Sequence, residues 1–335
     1  MIISHTPHRI SFFGGGTDYP SYYLRHGGKV LGAAIDKYCY LSVRKLPPFF
    51  EHRHRIVYSN QELVSQIDEI QHPSVRWTLD YLKVNYGVSI HHDGDIPARS
   101  GMGSSSAFTV GLLNSLNALN GLYSCKKDLV ENAIYIEQEL IKEHVGSQDQ
   151  TFAAYGGFNV IEFAQNGKIT VAPMITEEKR LNLFERHLML FYTGISRIAS
   201  EIAEEQIQKT GENVEVLHEM KKMVGEAVEI ICSNRPLKDF GELLDYNWHL
   251  KKNLSAKITT PEIDAMYQLA KKAGAIGGKV CGAGGGGFVL LFVEPEKRQA
   301  VKKTLKRFLH VPFHFDFEGS KIIVYRPETQ NGNGY

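Results

Sequence analysis

Cysteine is scarce and scattered. Only four of 335 residues are cysteine (Cys39, Cys125, Cys232 and Cys281), with no CxxC pair, which excludes a disulfide-dense scaffold and favours buried thiols over metal ligands in a reducing compartment. Excess charge of one sign is missing too. With 38 basic against 37 acidic side chains the net charge is +1, so there is no broad electrostatic footprint for nucleic acid or an anionic membrane, and any anion site must be local. Long apolar runs are absent: the longest purely aliphatic or aromatic one, FVLLFV at 288–293, is far short of the roughly 20 residues that cross a bilayer. The opening stretch MIISHTPHRISFF has no charged leader followed by a long apolar core, and the expectation is a soluble cytoplasmic protein. The paired histidines (His52 and His54, His91 and His92) lack HExxH spacing and a cysteine partner, so they read as strand or loop histidines.

What is present supports a large core. At 43% hydrophobic over 335 residues the chain is long enough for about two domains. Strand signals fall in MIIS, KVLGAAI and CYLSVRKL, and PSVRWTLDYLKVNYG places Val75, Leu79 and Leu82 at helical spacing before the extended VSIHHDG. Phe108, Leu112, Leu116 and Leu119 mark a helix ending near Gly121, KKDLVENAIYIEQELIKEH reads as a second one, and GGFNVIEFAQNGKITVAP reads as a hairpin turning at Asn166-Gly167. From HLMLFYTG onward a strand, Glu- and Lys-rich helices, another strand pair and KIIVYRP predict a second α+β domain. The division expected is 1–180 and 181–335.

Glycine is concentrated in three runs: PHRISFFGGGTDYP (7–20), GMGSSS (101–106) and VCGAGGGGFVLLFV (280–293). A glycine turn at a helix N-terminus wraps a phosphate with unpaired N–H groups, whereas a serine cap on a core helix needs the same wording. Three such runs point to backbones converging on a ligand. No run continues into Lys then Ser or Thr, so a P-loop is excluded, and GxGxxG at 282–287 leads into a strand-like run where a dinucleotide fold needs a helix.

Together and in this order the three runs resemble the GHMP kinase superfamily. Pro7, Arg9, Gly14 and Asp18 fall in register with its first motif, DIPARSGMGSSSA is similar to its P-x-x-x-G-L-G-S-S-A signature with Met102 for Leu, and KVCGAGGGGF is similar to its C-terminal glycine motif. Within it, the phrases FFGGGTDYP, GSQDQ, AAYGGFN and LFYTGISR look most like the bacterial D-glycero-D-manno-heptose 7-phosphate kinases. The resemblance implies an α+β, two-domain fold: a ribosomal protein S5 domain 2-like N-terminal domain holding a left-handed β-α-β unit, and a ferredoxin-like C-terminal domain. It further implies ATP and Mg²⁺ in the cleft between them and a sugar or sugar phosphate as acceptor, with a free-sugar kinase or a non-catalytic sensor as alternatives.

Roles follow by matching positions. Gly101, Met102, Gly103, Ser104, Ser105 and Ser106 would cradle the ATP phosphates, with Ser105 (or Ser104) on Mg²⁺. Glu137 or Glu139, twelve and ten positions before Asp149, would complete the metal shell, with Glu137 preferred; both also read as solvated helix charges. Asp149 matches the aspartate that takes or orients the acceptor proton, although an N-cap is its ordinary use, and Arg9 matches the cation flanking the transferred group. Asp18 matches a sugar-binding position or a turn. Gly15 and Gly16 replace a Glu-His pair and leave room for a larger sugar. Arg197, near Gly194 and Ser196, is the expected partner for a distal phosphate or a solvated arginine paired with Glu201. Oligomeric state leaves no mark in the sequence.

Overall fold

The computed structural model describes residues 1–98, 100–195 and 199–326. An eight-stranded sheet takes β1 (Ile2–Phe13), β2 (Gly28–Lys45), β3 (His54–Val57), β4 (Gln61–Val64), β5 (Val88–Gly94), β6 (Phe158–Phe163), β7 (Ile169–Pro173) and β12 (Lys321–Tyr325). Its helices are α1 (Pro20–His26), α2 (Pro73–Tyr81), α3 (Ser104–Leu119), α4 (Lys126–Tyr135) and α5 (Gln148–Tyr155). A four-stranded antiparallel sheet follows, made of β8 (Leu188–Tyr192), β9 (Ala275–Val280), β10 (Phe288–Val293) and β11 (Leu309–Val311). With it come α6 (Glu178–His187), α7 (Ala199–Gln208), α8 (Val214–Cys232), α9 (Lys238–Lys252), α10 (Pro261–Lys272) and α11 (Arg298–Thr304). Its order, β11-β8-β10-β9, is the 4-1-3-2 order of a ferredoxin-like sheet, so the α+β plan with a ferredoxin-like second sheet expected from the sequence is observed.

Strand β2 is the spine of the larger sheet. KVLGAAI and CYLSVRKL, read as separate strands, form one continuous strand whose first part pairs with β6 and whose second part pairs with β5, while β1 runs alongside. β1 likewise extends past MIIS through the first glycine motif's Pro7 and Arg9. Proline is tolerated there because the ladder is irregular: Pro7 faces Tyr38 and His8 faces Ile35, leaving Asp36 and Lys37 of β2 unpaired. The hairpin at Asn166-Gly167 is present, with Gly167 at φ 82°.

The second half of the chain is not confined to the second sheet. β12, the KIIVYRP strand assigned from sequence to the second domain, pairs antiparallel with β1, Ile2 opposite Tyr325. A core built from Ile10, Phe12, Phe13 and Leu31 of the first sheet, Val224 and Ala227 of α8, Phe240 of α9, and Leu290 and Phe292 of β10 is continuous across the two domains. Phe12 meets Phe158, Phe184 and Phe240 edge-on at 5.8, 5.7 and 5.6 Å, each pair adding about 0.5–1.5 kcal/mol beyond its buried area. Among the described residues no helix is long and apolar enough to cross a membrane.

Candidate active site

The glycine-serine loop leads directly into α3. Gly101 and Gly103 sit at φ 79° and 75°, a region that side chains disfavour, and a Cβ on Gly101 would come 2.7 Å from the Cys281 carbonyl oxygen. The first intrahelical bond of α3 is from the Ala107 amide to the Gly103 carbonyl, which leaves the Ser104, Ser105 and Ser106 amides free at the positive end of the helix dipole. These serines line a cleft of about 310 Å³ between the domains, a volume typical of small-molecule sites. Met102 departs from the expected cradle: flanked by two left-handed glycines, its side chain turns into the core, and its carbonyl accepts the Arg9 amide at 3.1 Å.

Arg9 and Asp149 meet at the mouth of that loop. The guanidinium binds the carboxylate with both arms, Nε to Oδ1 at 2.8 Å and Nη2 to Oδ2 at 2.8 Å, and Nη1 donates to the Gly101 carbonyl at 2.7 Å. Arg9 is 5% exposed and Asp149 25%, so the pair is shielded on the arginine side and open on the aspartate side. A bidentate fork fixes the carboxylate in plane as well as in charge. Asp149 lies in the first turn of α5 but performs no capping.

Asp18 is buried beside this pair. Its Oδ1 accepts the Gly16 amide at 2.9 Å and its Oδ2 the Gln148 amide at 3.4 Å. Burial, followed by the charge of Asp149, pushes its pKa above the usual carboxylate range. Gly146 makes this placement achievable, since a Cβ there would lie 1.9 Å from Asp18 Oδ2. Gly15 and Gly16 both line the cleft, and a Cβ at Gly15 would make only ordinary contacts, 3.5 Å from Ser11 Oγ and 3.7 Å from Gln148 Nε2. The corner is open at Gly15, whereas Gly16, at φ 100°, faces Leu217, whose Cδ2 would lie 3.0 Å from a Cβ there. Arg197 lies outside the described residues.

The acidic side of the loop differs from a plain helix. α4 stops at Tyr135 and the chain widens into a π-helical turn over Ile136–Leu140, a device common at functional sites. It turns Glu137 fully inward and leaves Glu139 exposed. Glu137 Oε2 accepts Ser106 Oγ at 2.8 Å and the Gln150 side-chain amide, while Oε1 has no partner among the described residues. Burial, then the charge of Glu143, pushes its pKa up to about 7. Glu143, unforeseen from sequence, lines the cleft; burial raises its pKa, and the neighbouring Ser105 side chain partly offsets that rise. No cluster of three or more His, Cys, Asp or Glu exists among the described residues. Magnesium does not require one, because this ion takes one or two carboxylates with waters and phosphate oxygens. Ser105 and Glu143 on the cleft wall are oxygen donors that fit it, with Glu137 buried behind them against Ser106.

Two lysines from the second domain complete the cleft, and neither was foreseen. Lys279 on β9 donates to the Ser11 and Phe12 carbonyls at 2.7 and 3.1 Å, tying β9 to β1. Lys251, near the end of α9, is 5% exposed and donates to the Gly282 carbonyl. A signal existed: Leu244, Trp248 and Lys251 recur at helical spacing on the buried face of α9, and a lysine at an apolar position is rarely idle. In the third glycine run only Gly282 and Ala283 reach the cleft. Gly284, Gly286 and Gly287 instead accommodate Ile258, Ile195 and Ser100 at distances no Cβ tolerates.

Residues 73–157 match the family described as GHMP kinases N terminal domain, and residues 226–311 match GHMP kinases C terminal. The D-glycero-alpha-D-manno-heptose 7-phosphate kinase of Campylobacter jejuni is 29% identical over 342 residues, covering 97% of this chain and 99% of that one. The L-fucokinase/L-fucose-1-P guanylyltransferase of Bacteroides fragilis is 26% identical over 91% of this chain and 36% of its own length. A crystal structure of a D-glycero-D-manno-heptose 1-phosphate kinase from Bacteroides thetaiotaomicron superposes with a TM-score of 0.78 at 24% identity, covering 96% of this chain and 98% of that one, a likeness of fold.

Proposed function

Since the chain belongs to the GHMP kinase superfamily, and is an ATP-dependent small-molecule kinase of that type acting on a sugar, sugar phosphate or related metabolite, we propose a specific acceptor for it. That acceptor is D-glycero-D-manno-heptose 7-phosphate, phosphorylated at its anomeric oxygen to the 1,7-bisphosphate. The Arg9–Asp149 fork at the mouth of the glycine-serine loop carries the proposal of catalysis. The corner left open at Gly15 and the full-length likeness to the Campylobacter heptose kinase support the acceptor.

The chemistry follows from the chain's own groups. Asp149 takes the proton of the acceptor hydroxyl as that oxygen bonds to the γ-phosphorus of ATP and the bond to ADP breaks. Arg9 compensates the carboxylate's charge and holds it aimed at the cleft. The amides of Ser104, Ser105 and Ser106 receive phosphate oxygens, and Asp18 with Gln148 faces the sugar hydroxyls. Magnesium, when bound by Ser105 and Glu143 with Glu137 behind them, neutralises phosphate charge. Arg197 remains our choice for the acceptor's distal phosphate.

Steady-state kinetics with ATP, Mg²⁺ and a panel of heptose 7-phosphate, free heptose, L-fucose and galactose test this, with phosphorus NMR locating the new ester. The highest kcat/KM is expected for the 7-phosphate, with an anomeric phosphate formed. A preference for L-fucose, the reading favoured by the likeness to the Bacteroides fragilis protein, would overturn the acceptor and leave the kinase standing.

A further inference from the structure

Arg9 has little left to give. Nε, Nη1 and Nη2 each already donate to Asp149 or to the Gly101 carbonyl, so the guanidinium serves the base and the loop. Lys279 spends two of its three donors on β1 carbonyls. Lys251 is different. It donates once, to Gly282, and among the described residues no carboxylate lies within ion-pair distance of it, although it lines the cleft with Asp18 and Asp149. A buried ammonium with donors to spare and no counterion is costly unless an anion completes it.

Its position narrows which anion. Gly282, which Lys251 holds, backs directly onto Gly101: a Cβ on Gly282 would lie 2.5 Å from the Gly101 carbonyl oxygen, the same oxygen that Arg9 Nη1 binds. Lys251 is therefore anchored where the glycine-serine loop, the base and the second domain meet. We propose that Lys251 is a catalytic residue that binds the equatorial oxygens of the phosphoryl group during its transfer, a role that rests on the kinase function proposed above. Negative charge on those oxygens is held by a preorganised donor in a water-poor site, where it counts most. Burial lowers the lysine's pKa to about 8, with Arg9 and Lys279 as neighbouring cations and Cys281, Asp18 and Asp149 as opposing groups. An arriving phosphoryl group favours the charged form. The second domain thus supplies part of the reaction centre itself and not only a wall.

The test compares wild type with Lys251→Met and Lys251→Arg. It reads thermal midpoint, affinity for a non-hydrolysable ATP analogue, kcat with the best acceptor, and affinity for ADP with aluminium fluoride, a mimic of the group in transfer. Lys251→Met is expected to keep or raise the thermal midpoint, because an unpaired buried charge is removed, and to hold the ATP analogue within about 3-fold. It should lose about 10²-fold or more in kcat together with the added affinity for the fluoride complex, and Lys251→Arg should recover part of both. Unchanged kcat in Lys251→Met overturns the inference. So does a rise in KM alone, confined to phosphorylated acceptors, or a fall in thermal midpoint that tracks the activity. A wild type that consumes no ATP with any sugar refutes the kinase function and, with it, this role, whereas an active wild type beside an equally active Lys251→Met refutes only the role.

Discussion

Glu137 is sealed between Ser106 and Gln150 with one oxygen unpartnered among the described residues, and its pKa, raised to about 7 by burial, has a definite consequence. The folded chain holds this proton more tightly than the unfolded chain. The side chain therefore sits without penalty below the ordinary glutamate range near pH 4.5, and its stability contribution is lost as pH rises through about 7. At about 1.4 kcal/mol per tenfold change in acidity, holding it ionised costs on the order of 3 kcal/mol. Glu137→Gln should accordingly raise the thermal midpoint of the ligand-free protein at pH 8 and differ little from wild type at pH 5. A gap of the same size at both pH values would contradict a titrating Glu137. Arg9, Asp149 and Asp18 were legible because each stands at a fixed place in a motif. Glu143 and Lys251 were not, because an exposed helix charge and a buried one are written with the same letter, and only the π-turn and the arrival of α9 decide which is which.

Elements explain the glycine runs more sharply than ligand binding does. Gly287 has φ 77°, and a Cβ there would lie 2.0 Å from the Ser100 carbonyl oxygen, so the third run lets the β9–β10 turn press against the loop before α3. Gly287→Ala should cost about 3 kcal/mol or more, since strain and a backbone clash coincide. Gly225, inside α8 with open space around its Cβ direction, is its control: Gly225→Ala should be neutral or stabilise by up to about 1 kcal/mol. Urea midpoints on both variants decide it, and equal destabilisation would refute the packing role. The sequence marked all three runs as special but not their division of labour, because a glycine for a ligand and a glycine for another backbone carry no different signal. Strand lengths were misread for a related reason: β2 continues through a polar stretch, Asp36 and Lys37, that locally resembles a break.

At the scale of the molecule, the shared core and the Phe12 cluster bind the two sheets into one body. Residues 1–180 by themselves lack α8, α9 and β12, which cover and extend β1. Such a fragment should show no cooperative thermal transition by circular dichroism, whereas the whole chain should melt in one step. A sharp melt from the fragment would show instead that the first sheet stands alone. The two-domain plan was readable from the order of strands and helices. The return of β12 to β1 was not, because pairing across more than 300 residues leaves no local trace. That return also sets an order of events on the ribosome. β1, β2 and β5 are complete once residue 94 has emerged, but the strand that closes the free edge of β1 begins at residue 321, on the order of ten seconds or more later at ordinary rates of synthesis. Throughout that interval residues 2–5 present unpaired backbone donors and acceptors to whatever lies nearby, and the nascent protein depends on the late arrival of β12 to remove the edge from circulation.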